Sequence, residues 1–458
     1  MSNETLSRTA WRTRVLKLSL PIMLSNSTVP LVGIVDTAVM GRMGSPDWIA
    51  ATAVGAILFS SIYWIFGFLR MGTSGLVAQA DGARDEAAIG RILIRAMLIA
   101  VAIGLLLVLL QTPILRVSLL AMQDQTQWLS LTEEYFRVRI LSAPATLLNY
   151  AVLGALIGLQ QTGRVLQLQL LLNLLNIVLN IVLFKYTQMN ISGVALATVI
   201  SEYVSLAVGL WLLRPLVWRA LNESPWRLWL FDTPALLRFF HVSKDLFIRT
   251  LCLTISYYWM TAASSHLGVL IVAVNAVLLH LVYMASYCMD GYAHSMESLV
   301  GYAVGQRNKT MFNQATRAAI ELGFVTAGII SLAYLLFGHW IIGLLTTEQS
   351  VIDQASTWLP WVAAVPLVGI ASFLLDGIFI GAVQTAAMRN SMVQSLLIFI
   401  VSNWLLMSLF GNHGLWMSYH LMLIARAVTL GRYWPLIISS IDHQASVTTT
   451  THSPAHKP

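Results

Sequence analysis

The fold is decided by two stretches that repeat each other, GTSGLVAQADGARD at residues 72–85 and SMESLVGYAVGQRN at residues 295–308. A second pair of similar stretches has nearly the same separation of about 223 residues; they are PATLLNYAVLGALIGLQQTGR, from Pro144, and PLVGIASFLLDGIFIGAVQTAAMR, from Pro366. Two independent matches at one separation are hard to produce by chance. We therefore predict a chain built as two related halves.

The composition indicates that both halves lie in a membrane. Of the 458 residues, 57% are hydrophobic and only 10% are charged, whereas soluble domains carry about 25% charged residues. Apolar stretches of the roughly 20 residues that a transmembrane helix needs recur along the whole chain. We predict an all-α membrane protein with twelve transmembrane helices in two pseudo-symmetric six-helix bundles. The predicted helices lie at roughly 15–40, 50–78, 91–113, 134–159, 166–186, 191–214, 240–264, 270–302, 315–337, 357–383, 391–410 and 414–438.

Polar segments predict where the two halves begin and end. Residues 1–216 form the N-terminal bundle, and residues 240–440 form the C-terminal bundle. Between them, residues 217–239 form a cytoplasmic connection rich in Trp and Arg. Residues 441–458 are polar and lack apolar periodicity, so we expect a disordered cytoplasmic tail. The N-terminal apolar stretch has no small-residue cleavage site, which favours a retained first helix over a signal peptide.

The orientation follows from the positions of Lys and Arg. They are concentrated in alternate predicted loops, and cytoplasmic loops carry such an excess. Both termini are therefore expected in the cytoplasm of a multi-pass protein of the bacterial inner (plasma) membrane. The net charge of +7 reflects this bias, so we expect no nucleic-acid partner. An offset of six helices keeps both copies in one orientation, as in transporters that hold substrate between parallel halves.

Several function classes find no support in the sequence. There is no phosphate-binding loop for an ATP-driven pump, and no nucleophile elbow or zinc-protease motif for an enzyme. Cys252 and Cys288 lie in apolar runs and form no metal-binding pair. We predict a protein that is not an enzyme and has neither cofactor nor metal. A channel and a structural or sensory membrane protein are alternatives, but related halves suit alternating access better.

Four segments together resemble one transporter family. They are PLVGIVDTAVMGRMG at 30–44, LVAQADGARD at 76–85, GALIGLQQTG at 154–163 and LLDGIFIGAVQTAAMRNSM at 374–392. The chain resembles the multidrug and toxic compound extrusion (MATE) family, and within it the DinF-like branch, over roughly residues 12–437. The resemblance implies two six-helix bundles that export organic, often cationic, compounds in exchange for protons or sodium ions. We expect a monomer whose partners are small-molecule substrates and membrane lipids.

The main alternative is a flippase for lipid-linked precursors, from the same broad superfamily. Such proteins resemble this chain less closely, because they usually have more helices and a cavity rich in Arg and Lys. Few basic residues lie in the middle of the predicted spans, which disfavours a phosphorylated lipid.

Ionisable side chains inside a membrane are costly and are functional candidates by default. Few carboxylates lie in the apolar segments, and the clearest are Asp36, Glu202, Asp290, Glu297, Glu321 and Asp376. Asp36 lies near the outer end of the first helix, in which Pro21 and Pro30 permit a bend. Such a carboxyl could carry a proton, and the resemblance implies that the acid of this helix couples ion flow. The alternative is an interfacial acid that faces water.

Three asparagines of the fifth predicted helix, Asn173, Asn176 and Asn180, share one face because their steps are three and four residues. Buried amides need partners, so this face lines a substrate cavity or joins helices together. In some MATE members the position that resembles Asn180 is an aspartate that partners the acid of the first helix. The amide in this chain departs from that pattern.

The eighth predicted helix carries a polar stripe that consists of His280, Tyr283, Tyr287, Asp290, His294 and Glu297. Its length of roughly 26 Å nearly crosses the hydrocarbon layer. The positions that correspond in the other half include the apolar Ile57, Trp64 and Met71. We predict that Tyr283, Tyr287, His294 and Glu297 line a substrate cavity and that Asp290 takes part in ion coupling; helix packing is the alternative.

Asp376, on the tenth predicted helix, is a second acid that the other half lacks. Some sodium-coupled relatives use a carboxylate of that helix as an ion ligand, and Asp376 resembles it by position. It is therefore a further candidate for ion coupling. Arg249, near the start of the seventh helix, could instead pair with it.

Overall fold

The computed structural model describes residues 7–41, 46–120, 126–187, 189–222 and 226–443. Nearly all of these residues are helical, and no strand occurs among them. The α-helices are α1 (Arg8–Gly41), α2 (Pro46–Ile65), α3 (Phe68–Gly82), α4 (Glu86–Leu109), α5 (Gln111–Leu120), α6 (Thr126–Arg139), α7 (Ala143–Gly158), α8 (Thr162–Tyr186), α9 (Asn190–Asn222), α10 (Trp226–Leu230), α11 (Thr233–Ser265), α12 (Val269–Gly305), α13 (Lys309–Leu345), α14 (Gln349–Gly381), α15 (Thr385–Phe410), α16 (Asn412–Gly431) and α17 (Trp434–His443).

The helices agree with the twelve predicted spans. Within the described ranges, ten helical segments are long and apolar enough to cross a membrane. The helices α1 and α11, of 34 and 33 residues, coincide with the first and seventh predicted spans. The prediction of an all-α membrane protein with two related sets of six spans is confirmed.

The turns show the repeat at the level of single residues. Arg84 and Arg307 both have a φ of 58°, and Gln160 and Val383 have φ values of 59° and 56°. The left-handed region is uncommon for residues other than glycine, especially for a β-branched residue such as Val383. Each pair is separated by the repeat distance, so both copies end these helices with the same backbone turn.

The helix that follows the first of these turns is capped alike in both halves. Asp85 Oδ1 accepts a hydrogen bond of 2.8 Å from the backbone N–H of Ala88, at the start of α4. Asn308 Oδ1 accepts one of 2.9 Å from the N–H of Met311, at the start of α13. Both side chains satisfy an N–H group that the first turn of a helix leaves without an acceptor.

Glycines in the repeated motifs bring helices together. A Cβ atom at Gly377 would overlap the backbone of Ala293, and one at Gly381 would overlap the backbone of Glu297. The helices α14 and α12 are therefore in backbone contact. Gly154 of α7 approaches α3 in the same way. Small residues four positions apart permit such approaches between membrane helices.

The described chain forms two compact units. One contains residues 7–23, 78–84 and 241–443, and the other contains the described residues within Leu24–Val77 and Asp85–Phe240. The first turns of α1 thus belong to the unit that holds α12 to α17. Arg12, for example, donates a hydrogen bond of 2.7 Å to Glu321 of α13.

Some elements differ from the sequence prediction. The second span is broken after Ile65, and the fourth contains a turn of 3₁₀ helix at 140–142 before Pro144. In the predicted connection, α9 continues to Asn222 with Pro215 inside it, and α11 begins at Thr233. Residues 441–443 complete α17, and the rest of the predicted tail, 444–458, lies outside the described residues.

Candidate functional site

The three asparagines of α8 lie inside the unit that contains Leu24–Val77 and Asp85–Phe240. Asn173 is 5% exposed, and Asn176 and Asn180 are fully buried. The 3.6-residue period of the helix places them on one face, as the sequence predicts. This face packs inward, whereas Leu174 and Val178 on α8 are exposed.

Each of these amides hydrogen bonds to a side chain. Asn173 Nδ2 donates to Thr28 Oγ1 of α1 at 2.6 Å, and Asn176 Nδ2 donates to Thr198 Oγ1 of α9 at 2.9 Å. Asn180 Nδ2 donates to Asn176 Oδ1 at 3.1 Å. The amides therefore join α8 to two neighbouring helices through a polar layer within the unit.

A second polar cluster in the same unit surrounds Glu202 of α9. Glu202 is 8% exposed, and its Oε2 accepts a hydrogen bond of 2.8 Å from Asn149 Nδ2. The same amide nitrogen donates to the backbone carbonyl of Glu202 at 3.0 Å. Arg139 lies close enough to stabilise the carboxylate electrostatically. The sequence identified Glu202 as an intramembrane acid but did not identify these partners.

Arg139 is held beside this cluster by aromatic rings. Its guanidinium lies 5.3 Å from the ring centroid of Phe59 and 5.5 Å from that of Tyr63, and it donates a hydrogen bond to Ser142. The Tyr63 hydroxyl is 3.1 Å from Ser142 Oγ. A cation between aromatic faces is stabilised by the ring quadrupoles.

The other unit has its own buried acid. Asp376 of α14 is 8% exposed and accepts a hydrogen bond from Arg249 of α11. Its Oδ2 also accepts one of 2.8 Å from Nη2 of Arg426 of α16, whose guanidinium lies 5.7 Å from the Phe373 ring centroid. Pairing with Arg249 is the alternative that the sequence offered for Asp376, whereas Arg426 was not predicted.

This cluster contains two guanidiniums and one carboxylate. Because Arg249 and Arg426 are 7% and 5% exposed, water screens their charges weakly. Asp290 of α12 interacts electrostatically with Arg249 and adds negative charge nearby. Because both guanidiniums bind Oδ2 of Asp376, a sodium ion at this carboxylate would be repelled by two neighbouring positive charges.

The polar stripe of α12 changes its environment along its length. His280 and Tyr283 are exposed, whereas Tyr287 and Asp290 are intermediate. His294 and Glu297 are buried, and His294 Nδ1 lies 2.8 Å from Glu297 Oε1. The buried end coincides with the close approach of α14, so packing between helices sets the surroundings of that end.

Two further acids singled out by the sequence are not members of these buried clusters as the structure describes them. Glu321 makes hydrogen bonds with Arg8, Arg12 and Arg317, so it is part of an ion-pair cluster rather than an isolated intramembrane acid. Asp36 lies within α1, in a stretch whose side chains fall outside the described residues. The role predicted for Asp36 therefore stays a prediction from the sequence.

Taken together, the parallel repeat, the spans and the buried polar clusters are typical of membrane transporters built from two parallel repeats. The model of the MatE family matches residues 21–182 and 246–405. The chain belongs to this family of multidrug and toxic compound extrusion transporters, as its motifs predict.

Known relatives agree with this assignment. The chain is 37% identical over 422 residues to DNA damage-inducible protein F of Escherichia coli (strain K12). The match covers 91% of this chain and 90% of that protein. It is 22% identical over 428 residues to multidrug export protein MepA of Staphylococcus aureus (strain N315). This match covers 87% of this chain and 88% of MepA. The resemblance to the DinF-like branch is confirmed.

Solved structures have the same fold. A crystal structure described as MATE in the bent conformation superposes with a TM-score of 0.85 at 19% identity, covering 96% of this chain and 98% of that chain. An outward-facing multidrug resistance MATE family transporter of the MOP superfamily superposes with a TM-score of 0.84 at 20% identity. The match covers 94% of this chain and 96% of that chain.

Proposed function

We propose that this protein is an antiporter that exports organic compounds, cationic or amphipathic, in exchange for protons or sodium ions. It works by alternating access as a monomer and requires no cofactor. It lies in the bacterial inner membrane with both termini in the cytoplasm, as the distribution of Lys and Arg indicates.

The observation that carries this proposal is a buried carboxylate in each unit, Glu202 in one and Asp376 in the other. Both belong to helices long enough to span the membrane. Charged groups are retained there at a cost of about 2.5–3.5 kcal/mol each on insertion scales, which is typical of transport pathways. The two acids do not occupy equivalent positions of the repeat, so the two units have different polar interiors.

An ion gradient supplies enough free energy for such export. One charge that crosses a membrane potential of 100 mV releases about 2.3 kcal/mol. A tenfold concentration ratio requires about 1.4 kcal/mol. One net charge per cycle therefore sustains a substrate gradient of about fiftyfold, without a nucleotide.

Within this proposal, Asp36 is the principal coupling group, and Asp290 and Asp376 contribute to coupling in the C-terminal half. The asparagines of α8 and the stripe residues Tyr283, Tyr287, His294 and Glu297 serve the substrate pathway. His280 and Tyr283 lie at the exposed end of the stripe, and we infer that this end meets the substrate pathway.

The flippase alternative gains one observation from the structure. Arg249 and Arg426 are buried, and a cavity for a phosphorylated lipid needs cationic side chains. Both guanidiniums, however, are bound to Asp376. A flippase would have to separate this cluster in each cycle, so export of small organic compounds is the better-supported function.

The proposal is tested in proteoliposomes that contain the purified full-length protein. Efflux of a fluorescent organic cation is measured under a proton gradient, under a sodium gradient and under neither. We expect transport under one of the gradients and none without a gradient. Equal transport under all three conditions would contradict antiport, and movement of a fluorescent lipid between leaflets without dye efflux would favour the flippase.

A further inference from the structure

A cavity of about 360 Å³ lies away from the polar clusters, in the unit that contains Leu24–Val77 and Asp85–Phe240. Its wall is formed by α3, α4, α10 and the first turns of α11. Three arginines line it, and these are Arg91, Arg95 and Arg238. The one acid in the wall is Asp232, beside the aromatic rings of Trp229 and Phe239. The wall therefore carries two more positive than negative side chains.

Arg95 is the most deeply buried of the three arginines that line this cavity. The residue is 8% exposed, its Nη2 donates to the backbone carbonyl of Trp229, and its guanidinium lies 6.0 Å from the Trp229 ring centroid. The ion pair with Asp232 is loose, at 3.9 Å. A guanidinium has five N–H donors. Among the described residues, Nη2 of Arg95 has a hydrogen-bond acceptor, the Trp229 carbonyl. The Nε–H of Arg95 is buried and has no acceptor there.

The other two arginines add positive charge to the wall of the cavity. Arg91 pairs with Asp85 at 3.6 Å, but this acid lies outside the wall and is 48% exposed, so water screens the pair. Arg238 is exposed at the start of α11. The planar donor forks of arginine match the oxygen atoms of a phosphate group better than an ammonium does.

The surroundings of the cavity are apolar and accessible. Exposed large apolar side chains on α10, in the turn after it and on the first turns of α11 include Leu228, Phe231, Leu237 and Phe240, with exposed fractions of 73%, 68%, 50% and 62%. Apolar side chains beside cationic ones at the ends of membrane helices are typical of segments that lie at the membrane surface. This combination favours a ligand with a charged head and apolar chains.

We propose that this cavity binds the phosphate group of an anionic lipid headgroup. The phosphate lies between the three arginines, and the acyl chains lie along the exposed apolar side chains of α10 and α11. Basic pockets between transmembrane helices are known binding sites for acidic headgroups. The volume lies at the lower end of the roughly 300–1,000 Å³ of ligand pockets, which suits a headgroup but not a whole lipid. A bound lipid fastens α10 to α4.

The test counts lipids bound to the full-length protein by native mass spectrometry in detergent, with equal amounts of phosphatidylglycerol and phosphatidylcholine. We expect wild type to retain phosphatidylglycerol in preference. Arg95→Gln and Arg238→Gln each lower that retention about fivefold or more, because one cationic side chain near the membrane surface contributes about that factor. Arg164→Gln is the matched control; this exposed arginine of α8 donates to Gln161 and does not line the cavity, so retention is unchanged.

Four outcomes would overturn the proposal. Three of them are equal retention of both lipids by wild type, an equal loss in Arg164→Gln, and no loss in Arg238→Gln. Displacement of phosphatidylglycerol by millimolar inorganic phosphate would also overturn it, because the cavity would then accept soluble phosphates. Arg238 is exposed, so its variant is a test even if Arg95→Gln fails to fold. None of these results depends on transport activity.

Discussion

Arg426 Nη2 and Asp376 Oδ2 lie 2.8 Å apart, although 50 residues and one intervening helix separate them in the chain. The same carboxylate accepts from Arg249, so one buried acid holds α11, α14 and α16 together. Removing one partner of a buried ion pair costs about 3–5 kcal/mol, since a charge is left uncompensated. This relationship makes Asp376 a structural link as well as a candidate for coupling.

Asp376→Asn should therefore destabilise the protein more than Arg426→Gln does. The first change leaves two buried guanidiniums without their carboxylate, whereas the second leaves the pair of Arg249 and Asp376. Thermal unfolding in detergent, followed by tryptophan fluorescence, measures both. A larger loss for Arg426→Gln would show that Asp376 is not the centre of the cluster.

Asn149→Ala should destabilise the unit that contains Leu24–Val77 and Asp85–Phe240 by about 1–3 kcal/mol. The buried carboxylate of Glu202 would lose the hydrogen bond that Asn149 donates. In a Glu202→Gln background, the same change should cost less, because a neutral amide is easier to leave without a partner. The measurement is a double-mutant cycle of unfolding free energies. Additive effects would mean that the hydrogen bond contributes nothing specific.

Gly377→Ala should lower the unfolding temperature, because the added Cβ would overlap the backbone of Ala293 and force α14 away from α12. Overpacking of this kind costs about 1–3 kcal/mol. Gly343→Ala is the control: this helical glycine has nothing within 4 Å of its Cβ position, and alanine favours helix. Similar losses for both variants would indicate that the contact of α12 and α14 is not tight.

Single cysteines along α12 should divide the polar stripe in two. In a background without Cys252 and Cys288, cysteines at Tyr283 and Tyr287 should react quickly with a water-soluble thiol reagent, and one at Glu297 should react slowly. Substrate should protect the first two positions if they line its pathway. Fast labelling at Glu297 would contradict the buried end of the stripe.

The sequence predicted the spans and the repeat because long apolar runs and repeated motifs are local signals. It predicted the shared face of Asn173, Asn176 and Asn180 because helical periodicity alone places them. It did not predict the partner Arg426 of Asp376, because two residues on different helices meet only after tertiary packing. For the same reason, six evenly spaced polar residues on α12 gave no sign that Glu297 packs against Gly381 while Tyr283 stays exposed.

The claim that ion movement drives export is tested most directly at Asp36. Asp36→Asn preserves size and hydrogen bonding but cannot titrate, whereas Asp36→Glu can. Gradient-driven dye efflux and dye binding are measured on both variants and on Asp47→Asn, an acid in the first turn of α2. We predict that Asp36→Asn binds the dye but loses gradient-driven efflux, and that Asp36→Glu and Asp47→Asn retain measurable efflux. Full efflux by Asp36→Asn at normal expression would contradict the account.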